Sequence, residues 1–254
     1  MADGLTYFVS DLHLRGPEDR NQRLFLEFLD RRVRSTGAAL VVAGDLFDFW
    51  YGLPERVPAP FVEVIDALES LPSVVYLEGN HDVRLGRALG PDSRIDVVVG
   101  SRRMDVGSLT VHVEHGDHVD SADVGHMAFK RLMLSRPAAV VARALGERAL
   151  QWVGETAAVV SRGDEEGVLG QDPRWLAAAR EFATERASEG ADLTILGHGH
   201  WLGWWSDPLV CLGDWLVFHS YLRVDTDGAS LCRFVQAGDD ITVATGPVGA
   251  IPPN

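Results

Sequence analysis

The sequence predicts an α/β domain built in layers, and two observations carry this prediction. First, five short apolar runs, continuous and rich in β-branched residues, are typical of strands buried on both faces of a sheet. These runs lie at residues 7–9, 40–43, 74–77, 109–113 and 193–196. Second, helical patterns separate the runs, notably at residues 18–34 and 61–71. Strands that alternate with helices predict a sheet covered by helices.

Length and composition limit the class of protein. The chain has 254 residues, 46% of them hydrophobic and 24% charged, which is typical of a globular protein that can bury a sizeable core. Its 23 basic and 37 acidic residues give a net charge of −14. This charge argues against a nucleic-acid partner. It also disfavours anionic substrates unless a local feature reverses the field.

Cysteine usage and targeting features predict a cytoplasmic protein. Cys211 and Cys232 form no CxxC motif, and we expect reduced thiols rather than a disulfide. The first residues lack the basic start and long apolar core of a signal peptide. No apolar stretch reaches the length of about 18 residues that a transmembrane helix needs.

The chain beyond about residue 209 is predicted to contain strands alone. Apolar runs at residues 215–224 and 229–235 flank Asp227-Gly228, a dipeptide typical of β-hairpin turns. We therefore expect these two runs to pair as a hairpin.

A helical insertion interrupts the α/β pattern between about residues 120 and 190. The stretch lacks strand-like runs, and residues 138–160 are apolar around most of the helix circumference. Residues 118–163 contain six basic and four acidic residues, a charge of +2 in an otherwise acidic chain. We interpret the insertion as a cap on a single domain, residues 1–254, with a loop at residues 163–172 beside it.

Each of the five apolar runs leads into a loop that carries aspartate, histidine or asparagine. Along the chain these loops read Asp11-Leu12-His13, Gly44-Asp45-Leu46-Phe47-Asp48, Gly79-Asn80-His81-Asp82, His115-Gly116-Asp117 and Gly197-His198-Gly199-His200. Because ligands of open α/β sheets gather at the carboxyl ends of the strands, we expect the loops to converge. Imidazole nitrogens together with carboxylate oxygens suit Mn, Fe, Co, Ni or Zn, whereas Mg and Ca prefer oxygen alone.

Each motif alone also has an ordinary explanation. An Asp-x-His pair is often a solvated loop, Asp48 has the chemistry of a helix cap, and Asn80 that of a turn residue. Five such motifs in this order, each after a strand, favour a metal site.

Together, the five motifs resemble the blocks of the calcineurin-like metallophosphoesterase superfamily, over residues 11–200. The resemblance implies a four-layer αββα sandwich, here with the helical cap, and a hydrolase of phosphoesters or phosphoanhydrides that uses metal-activated hydroxide. It implies two divalent metal ions, one held by Asp11, His13 and His200 and the other by Asn80, His115 and His198, with Asp45 bridging both. It also implies that His81 is the catalytic histidine and that Asp48 orients it.

Further segments are similar to the UDP-2,3-diacylglucosamine pyrophosphohydrolases of lipid A synthesis. These are residues 10–14, 44–50 and 212–215, together with the long insertion. In that group the insertion holds two acyl chains above a dinuclear manganese site. The resemblance implies manganese as the metal, UDP-2,3-diacylglucosamine as the substrate, lipid X and UMP as products, and peripheral contact with the cytoplasmic face of the inner membrane. It implies no oligomeric state.

The chain departs from that group at two positions. His81 stands where characterised members carry Arg, although a related branch keeps His, and Gly199 stands where Thr is usual. The first departure leaves a nucleotide, a cyclic nucleotide or a phosphoprotein open as the substrate. A non-catalytic scaffold of the same fold is a third alternative, although the chain retains every ligand.

Substrate contacts are predicted at Asn80, Asp123, Lys130 and Arg131. Cations of the cap are as typical of a solvated surface as of a phosphate site, and its apolar helix is as typical of packing on the core as of a lipid pocket. For Trp201, Trp204 and Trp205, both core packing and an apolar wall beside the site stay open.

Overall fold

The computed structural model describes residues 4–52, 55–120, 132, 135–145, 171–206 and 208–246. Its strands are β1 (Thr6–Val9), β2 (Ala39–Ala43), β3 (Trp50–Tyr51), β4 (Val74–Leu77), β5 (Asp82–Val83), β6 (Ile95–Val98), β7 (Ser101–Val106), β8 (Leu109–Glu114), β9 (Leu193–Leu196), β10 (Leu202–Trp205), β11 (Leu209–Leu212), β12 (Ser220–Asp225), β13 (Gly228–Arg233) and β14 (Ile241–Gly246). Its helices are α1 (Arg20–Phe28), α2 (Val62–Glu69), α3 (Leu85–Leu89), α4 (Arg136–Leu145) and α5 (Pro173–Ser188).

Two mixed sheets form the centre of the fold. The first has seven strands in the order β14-β13-β12-β1-β2-β4-β6, and the second has five in the order β10-β11-β9-β8-β7. In the first sheet β1, β2, β4 and β6 are parallel, and β12 joins β1 antiparallel. In the second sheet β9 is parallel to both β8 and β11. A short parallel pair, β3 and β5, lies outside both sheets.

The alternation of side chains along the strands builds the layers. In β1, Phe8 faces the second sheet and packs in a core with Val111 and Ile195, whereas Tyr7 and Val9 face the opposite way. On that outer face α1 and α2 cover the first sheet, and on the far side α5 covers the second. The predicted α/β fold of four layers, helices outside two sheets, is confirmed.

The strand predictions hold for the five runs that precede the ligand-bearing loops. All five predicted runs are strands, and the hairpin β12–β13 turns at Asp227 as expected. The predicted helix at residues 18–34 begins after the N-cap Asp19 and ends in a π-helical turn, Leu29–Arg34. A 3-10 turn, Ala59–Phe61, precedes α2. Both cysteines are free, in line with the expected reduced thiols, and the structure places both in buried positions.

One strand prediction is wrong over part of its length. Residues 215–218 form a turn, and β12 begins only at Ser220. The Asp214 carboxylate accepts a hydrogen bond from the Val217 amide at 2.7 Å, and the Trp215 indole donates to the Ser220 carbonyl at 2.9 Å. Trp215 is fully buried because it fills the core beneath α1. An apolar side chain in a buried turn gives the same sequence pattern as one in a strand, so the pattern alone assigned this segment to a strand.

The insertion is described at its two ends. Of the predicted helix at 138–160, the described part lies in α4, and α5 returns the chain to β9; residues 121–131, 133–134 and 146–170 lie outside the described residues. The assignment of residues 1–254 to one domain therefore stays a prediction. Within the described residues, no helix has the length and apolarity needed to cross a membrane.

Asp240 joins the edge of the first sheet to the helix layer, and this contact generates a stability prediction. Its carboxylate accepts hydrogen bonds from Arg32 at 2.6 Å, from the Tyr221 hydroxyl at 2.5 Å and from the Val235 amide at 3.1 Å. Burial raises the pKa of Asp240, but the bonds from Arg32 and Tyr221 outweigh it and leave that pKa below its usual value.

We expect Asp240→Asn to lower the free energy of unfolding by about 1–2 kcal/mol at pH 7, since the charged hydrogen bonds are lost and the site is only partly shielded. A carboxyl whose folded pKa is depressed stabilises above its unfolded pKa, so this contribution should shrink as pH falls through the folded value. Urea unfolding at pH 7 and in acid measures it, with the exposed neighbour Asp239→Asn as the control. A deficit that stays constant with pH would contradict the assignment.

Candidate functional site

The five loops that carry the predicted metal ligands meet at one edge of the sheet pair. Three loops follow the parallel strands β1, β2 and β4 of the first sheet, and two follow β8 and β9 of the second. Because the two sheets pack face to face, their carboxyl ends open onto one site. The structure brings together there all seven predicted ligands, namely Asp11, His13, Asp45, Asn80, His115, His198 and His200.

Asp45 lies at the centre of the site. Its Oδ2 atom is 3.3 Å from Nε2 of His115 and 4.0 Å from Nε2 of both His13 and His81. Asp45 is fully enclosed by protein, so its charge interacts with these rings rather than with solvent. One carboxylate therefore faces imidazoles from three different loops.

Asp11 organises one half of the site. Its Oδ1 lies 3.8 Å from Nε2 of His200, and the rings of His13 and His200 stack with centroids 5.6 Å apart. One ligand atom from each of these three residues falls within 4.8 Å of the others. This spacing is compatible with three donors around one ion.

Asn80 organises the other half. Its Oδ1 lies 2.9 Å from Nε2 of His115 and 3.1 Å from Nδ1 of His198, and the two rings meet edge to face at 5.1 Å. The loops that follow β4, β8 and β9 thus bring one amide oxygen within hydrogen-bonding distance of two imidazole nitrogens.

Hydrogen bonds on the far side of two rings set their orientation. Nδ1 of His115 donates to the Ala43 carbonyl at 3.0 Å, and Nδ1 of His200 lies 3.3 Å from Oδ2 of Asp214. A histidine held through one nitrogen presents the other as a ligand in a defined tautomer. Asp214, which belongs to the similar segment 212–215, therefore contacts a candidate ligand directly.

The backbone at the ligands is unusual. Among the described residues, five candidate ligands have positive φ angles, in a region that residues other than glycine rarely adopt: Asp11 (54°), His13 (48°), Asp45 (52°), His198 (60°) and His200 (52°). Backbone strain of this kind clusters at functional sites.

The charges of the site are strongly coupled. Burial raises the pKa of Asp11. Burial acts in the same direction on Asp45, but His115 and His81 outweigh it and hold the pKa of Asp45 well below its usual range. In return, burial lowers the pKa of His115 but Asp45 more than offsets it, raising that pKa to about 10. In the metal-free site the charge of the Asp45 carboxylate is thus balanced by the imidazole rings around it, and a cation would replace the proton on His115 as its partner.

The donor set fits divalent metal ions. Within the described part of the chain, Oδ1 of Asp11 and Nδ1 of His13 are buried without a hydrogen-bond partner, an arrangement that is costly unless another group satisfies them. Two carboxylates, one amide oxygen and four imidazoles are the ligands that borderline divalent ions accept.

His81 lies beside this cluster and is held by Asp48 through the backbone. Nδ1 of His81 donates to the main-chain carbonyl of Asp48 at 2.7 Å. The Asp48 carboxylate lies 3.7 Å from Nδ1 of His13 and 3.2 Å from Nε of Arg15, and one of its oxygens is within 4.8 Å of a ring nitrogen of His81. The resemblance implied that Asp48 orients His81. It did not indicate that the main-chain carbonyl of Asp48 makes the hydrogen bond.

Asp82 is a residue whose role sequence reasoning missed. Its fully buried carboxylate accepts hydrogen bonds from the amides of Leu46 at 2.7 Å, Gly79 at 2.9 Å and Asp45 at 3.2 Å, and from the Tyr76 hydroxyl at 2.5 Å. The sequence signal that could have indicated this role is the position of Asp82 directly after Asn80 and His81.

The other predicted contacts fall in different places. Asp123, Lys130 and Arg131 lie outside the described residues, and the structure places only Asn80 of the four predicted substrate contacts. Trp201 and Trp205 pack against the cluster beneath α5, and Trp204 packs against the core between the sheets. The packing interpretation of these tryptophans therefore agrees with the structure.

Comparison with known proteins gives relatives over most of the chain. A UDP-2,3-diacylglucosamine hydrolase of Stenotrophomonas maltophilia (strain K279a) is 30% identical over 251 residues, covering 89% of this chain and 97% of the relative. A protein of the same name from Xanthomonas axonopodis pv. citri (strain 306) is 30% identical over 249 residues, with the same coverage of 89% and 97%.

Solved structures are similar at lower identity. A Vps29 single mutant from Entamoeba histolytica matches with a TM-score of 0.46 and 12% identity, covering 94% of this chain and 99% of the other. A dimetal phosphatase from Danio rerio matches with a TM-score of 0.46 and 12% identity, covering 95% and 99%.

The family model described as calcineurin-like phosphoesterase matches residues 5–243. This match includes all five ligand-bearing loops and both sheets up to residue 243, within the edge strand β14. The chain belongs to the calcineurin-like phosphoesterase family of metal-dependent hydrolases.

Proposed function

We propose that the protein hydrolyses the diphosphate of UDP-2,3-diacylglucosamine to lipid X and UMP with two divalent metal ions. The observation that carries the hydrolytic part is the convergence of six further oxygen and nitrogen ligands around Asp45. The substrate is supported by the 30% identity, over 89% of the chain, to a hydrolase named for it.

The residues divide between two metal positions. Asp11, His13 and His200 would hold one ion, Asn80, His115 and His198 the other, and Asp45 would contact both. Two divalent ions held by these residues would neutralise charge on the phosphoryl oxygens and would lower the pKa of an attacking water. The residue types favour Mn, as well as Fe, Co, Ni or Zn, over Mg.

His81 would act on the leaving group. Its Nδ1 is committed to the Asp48 carbonyl, so Nε2 is the atom directed toward the cluster, 4.0 Å from Oδ2 of Asp45. The ring is partly exposed, which makes it accessible to a substrate. A protonated Nε2 in this position can donate to the oxygen that departs with the sugar phosphate or the nucleotide.

The described part of the cap offers an apolar surface near His81. Ala139 of α4 packs on Tyr51 and Val83, in the small pair β3–β5 that adjoins His81, while Val140 and Val141 are 66% and 54% exposed. Exposed aliphatic side chains next to a phosphoesterase site are suited to acyl chains. A diacylated substrate resides in a membrane, so the proposal includes peripheral contact with the cytoplasmic face of the inner membrane.

Hydrolysis of a soluble phosphoester is the second candidate. His81 favours this candidate, because characterised members of the lipid hydrolase group carry Arg at the corresponding position. The same metal cluster would serve either substrate.

Substrate choice can be measured directly. With Mn²⁺, we expect the purified protein to release UMP from UDP-2,3-diacylglucosamine faster than it hydrolyses a soluble aryl phosphodiester, since the apolar surface adds binding energy for the acyl chains. Asp45→Asn, which removes the central carboxylate, controls for a contaminating hydrolase. Turnover of the soluble ester alone would refute the lipid substrate and favour the second candidate.

Metal binding predicts a shift in stability. At a Mn²⁺ concentration of a hundred times Kd, ligand linkage adds about 2.7 kcal/mol to the free energy of unfolding. For a chain of this length, that corresponds to roughly 5–10 °C in Tm. Asp45→Asn should lose most of this shift, whereas the exposed Asp239→Asn should keep it. An equal shift in both variants would contradict the central role of Asp45.

The Asp48–His81 contact separates two variants. His81→Ala should lower kcat by about 10²–10⁴-fold, the usual contribution of a general acid, while leaving Mn²⁺ affinity near that of the wild type. Asp48→Asn keeps the main-chain carbonyl that holds His81, so its loss in kcat should be smaller. Steady-state kinetics with Mn²⁺ titrations on both variants measure this, and an equal loss would show that the Asp48 carboxylate does the orienting.

A further inference from the structure

Helix α5, the returning end of the insertion, lies against the second sheet through a narrow stripe. Trp175, Ala179 and Ala183 form that stripe, and they pack with Leu196 and Cys211 of β9 and β11. The two alanines allow close approach of the helix to the strands. Trp175, at the first turn, is the large side chain of the stripe and lies at the carboxyl end of the strands, where the candidate ligands are.

Trp175 contacts both ligand-bearing loops of the second sheet. Its indole Nε1 donates to the carbonyl of Gly116, directly after His115, at 3.0 Å. Its ring lies against the imidazole of His198, with centroids 6.2 Å apart and the planes tilted by 56°. One buried side chain therefore joins the loop after β8 to the loop after β9.

Gly199 makes room for this ring. A Cβ built on Gly199 would overlap the Cε3 and Cζ3 atoms of Trp175, far inside the 3.4–4 Å of ordinary contact. The flanking residues His198 and His200 have positive φ angles, but Gly199 does not. The backbone at 199 would accept a side chain, so the indole is the obstacle and not the local conformation.

A second contact holds the same loop from the same end of the helix. Gln171, just before the N-cap Asp172 of α5, donates from its side-chain amide to the carbonyl of His200 at 3.1 Å. The loop from His198 to His200 is thus bounded on one side by Asp11, which accepts from the His198 amide at 2.9 Å, and on the other by the start of α5.

We infer that Trp175 is a positioning residue for His198 and His200, and that Gly199 is glycine because the Trp175 indole occupies the space of its side chain. The inference rests on the proposed function, in which those histidines hold metal. It makes the insertion part of the metal site, since the helix that ends the insertion sets the geometry of a ligand loop.

The pairing predicts a rescue. A side chain at 199 must displace either the indole or the loop, and a loop shift moves the ligands on both sides of it. We therefore expect Gly199→Thr to lower Mn²⁺ affinity by about 10–100-fold, as loss of outer support for ligands does. The double variant Trp175→Leu/Gly199→Thr should recover affinity relative to Gly199→Thr alone, because leucine leaves the space that threonine needs.

The measurement is Mn²⁺ binding to the full chain by calorimetry and electron paramagnetic resonance, with urea unfolding of each apo variant. Gly199→Ala serves where the threonine variant does not fold. Gly86→Ala is the matched control, because Gly86 also lacks a positive φ and its added Cβ would meet Val97 only at 3.8 Å. Trp175→Phe keeps an aromatic ring but loses the bond to Gly116, and should weaken Mn²⁺ binding less than Gly199→Thr.

The outcomes separate the inference from the proposed function. Recovery of affinity in the double variant supports positioning, because a purely structural tryptophan would add its own damage instead. Unchanged Mn²⁺ affinity in both Gly199 variants, or a double variant worse than Gly199→Thr, would overturn it. Wild-type protein that binds no Mn²⁺, or binds it no better than Asp45→Asn, would overturn the proposed function itself.

Discussion

The buried carboxylate of Asp82 is the constraint on which the site depends. It accepts from three backbone amides and one phenol, and so ties the loop after β2 to the loop after β4. Oδ1 of Asp45 extends the tie by accepting from the His81 amide at 2.9 Å. The carbonyl of Asp45 accepts from the amides of Leu12 and His13 at 2.8 and 3.1 Å, which adds the loop after β1. Three loops of the first sheet therefore behave as one unit, because each is bonded to the others through groups shielded from water.

That bonding allows the ligands to occupy unfavourable backbone conformations. A non-glycine residue held at positive φ costs roughly 1–3 kcal/mol, and five of the eight such residues in the described chain are candidate ligands. A network of buried hydrogen bonds can hold this strain, since breaking any one of them would leave an unsatisfied polar group. Close backbone approach contributes too: a Cβ on Gly79 would overlap the Asp45 carboxylate, so only glycine lets the loops come this near.

Sequence reasoning predicted the layers and the ligands because both depend on local patterns. Apolar runs that end in loops rich in His and Asp marked β1, β2, β4, β8 and β9, and the convergence followed from the rule for parallel strands. Strands without a distinctive pattern were not predicted, among them β7, whose side chains are largely exposed or half-buried. The turn at residues 215–218 resembled a strand because Trp215 is buried by tertiary packing. The carbonyl of Asp48 as the partner of His81, and the indole above Gly199, depend on contacts between distant segments that residue types do not encode.

The effect of the acidic residues also depends on their tertiary positions and not on their number alone. A chain of net charge −14 should repel a diphosphate, yet part of that acidity is Asp11 and Asp45, which lie buried within the site where cations are attracted. The two described helices of the insertion contact different sides of this site. Helix α4 rests on Tyr51 and Val83 next to His81, and Arg84 donates to the Ser135 carbonyl at 3.3 Å. Helix α5 rests on the loop of His198 and His200. Because both helices belong to the predicted insertion, the segment that we propose meets the substrate would also support the ligands.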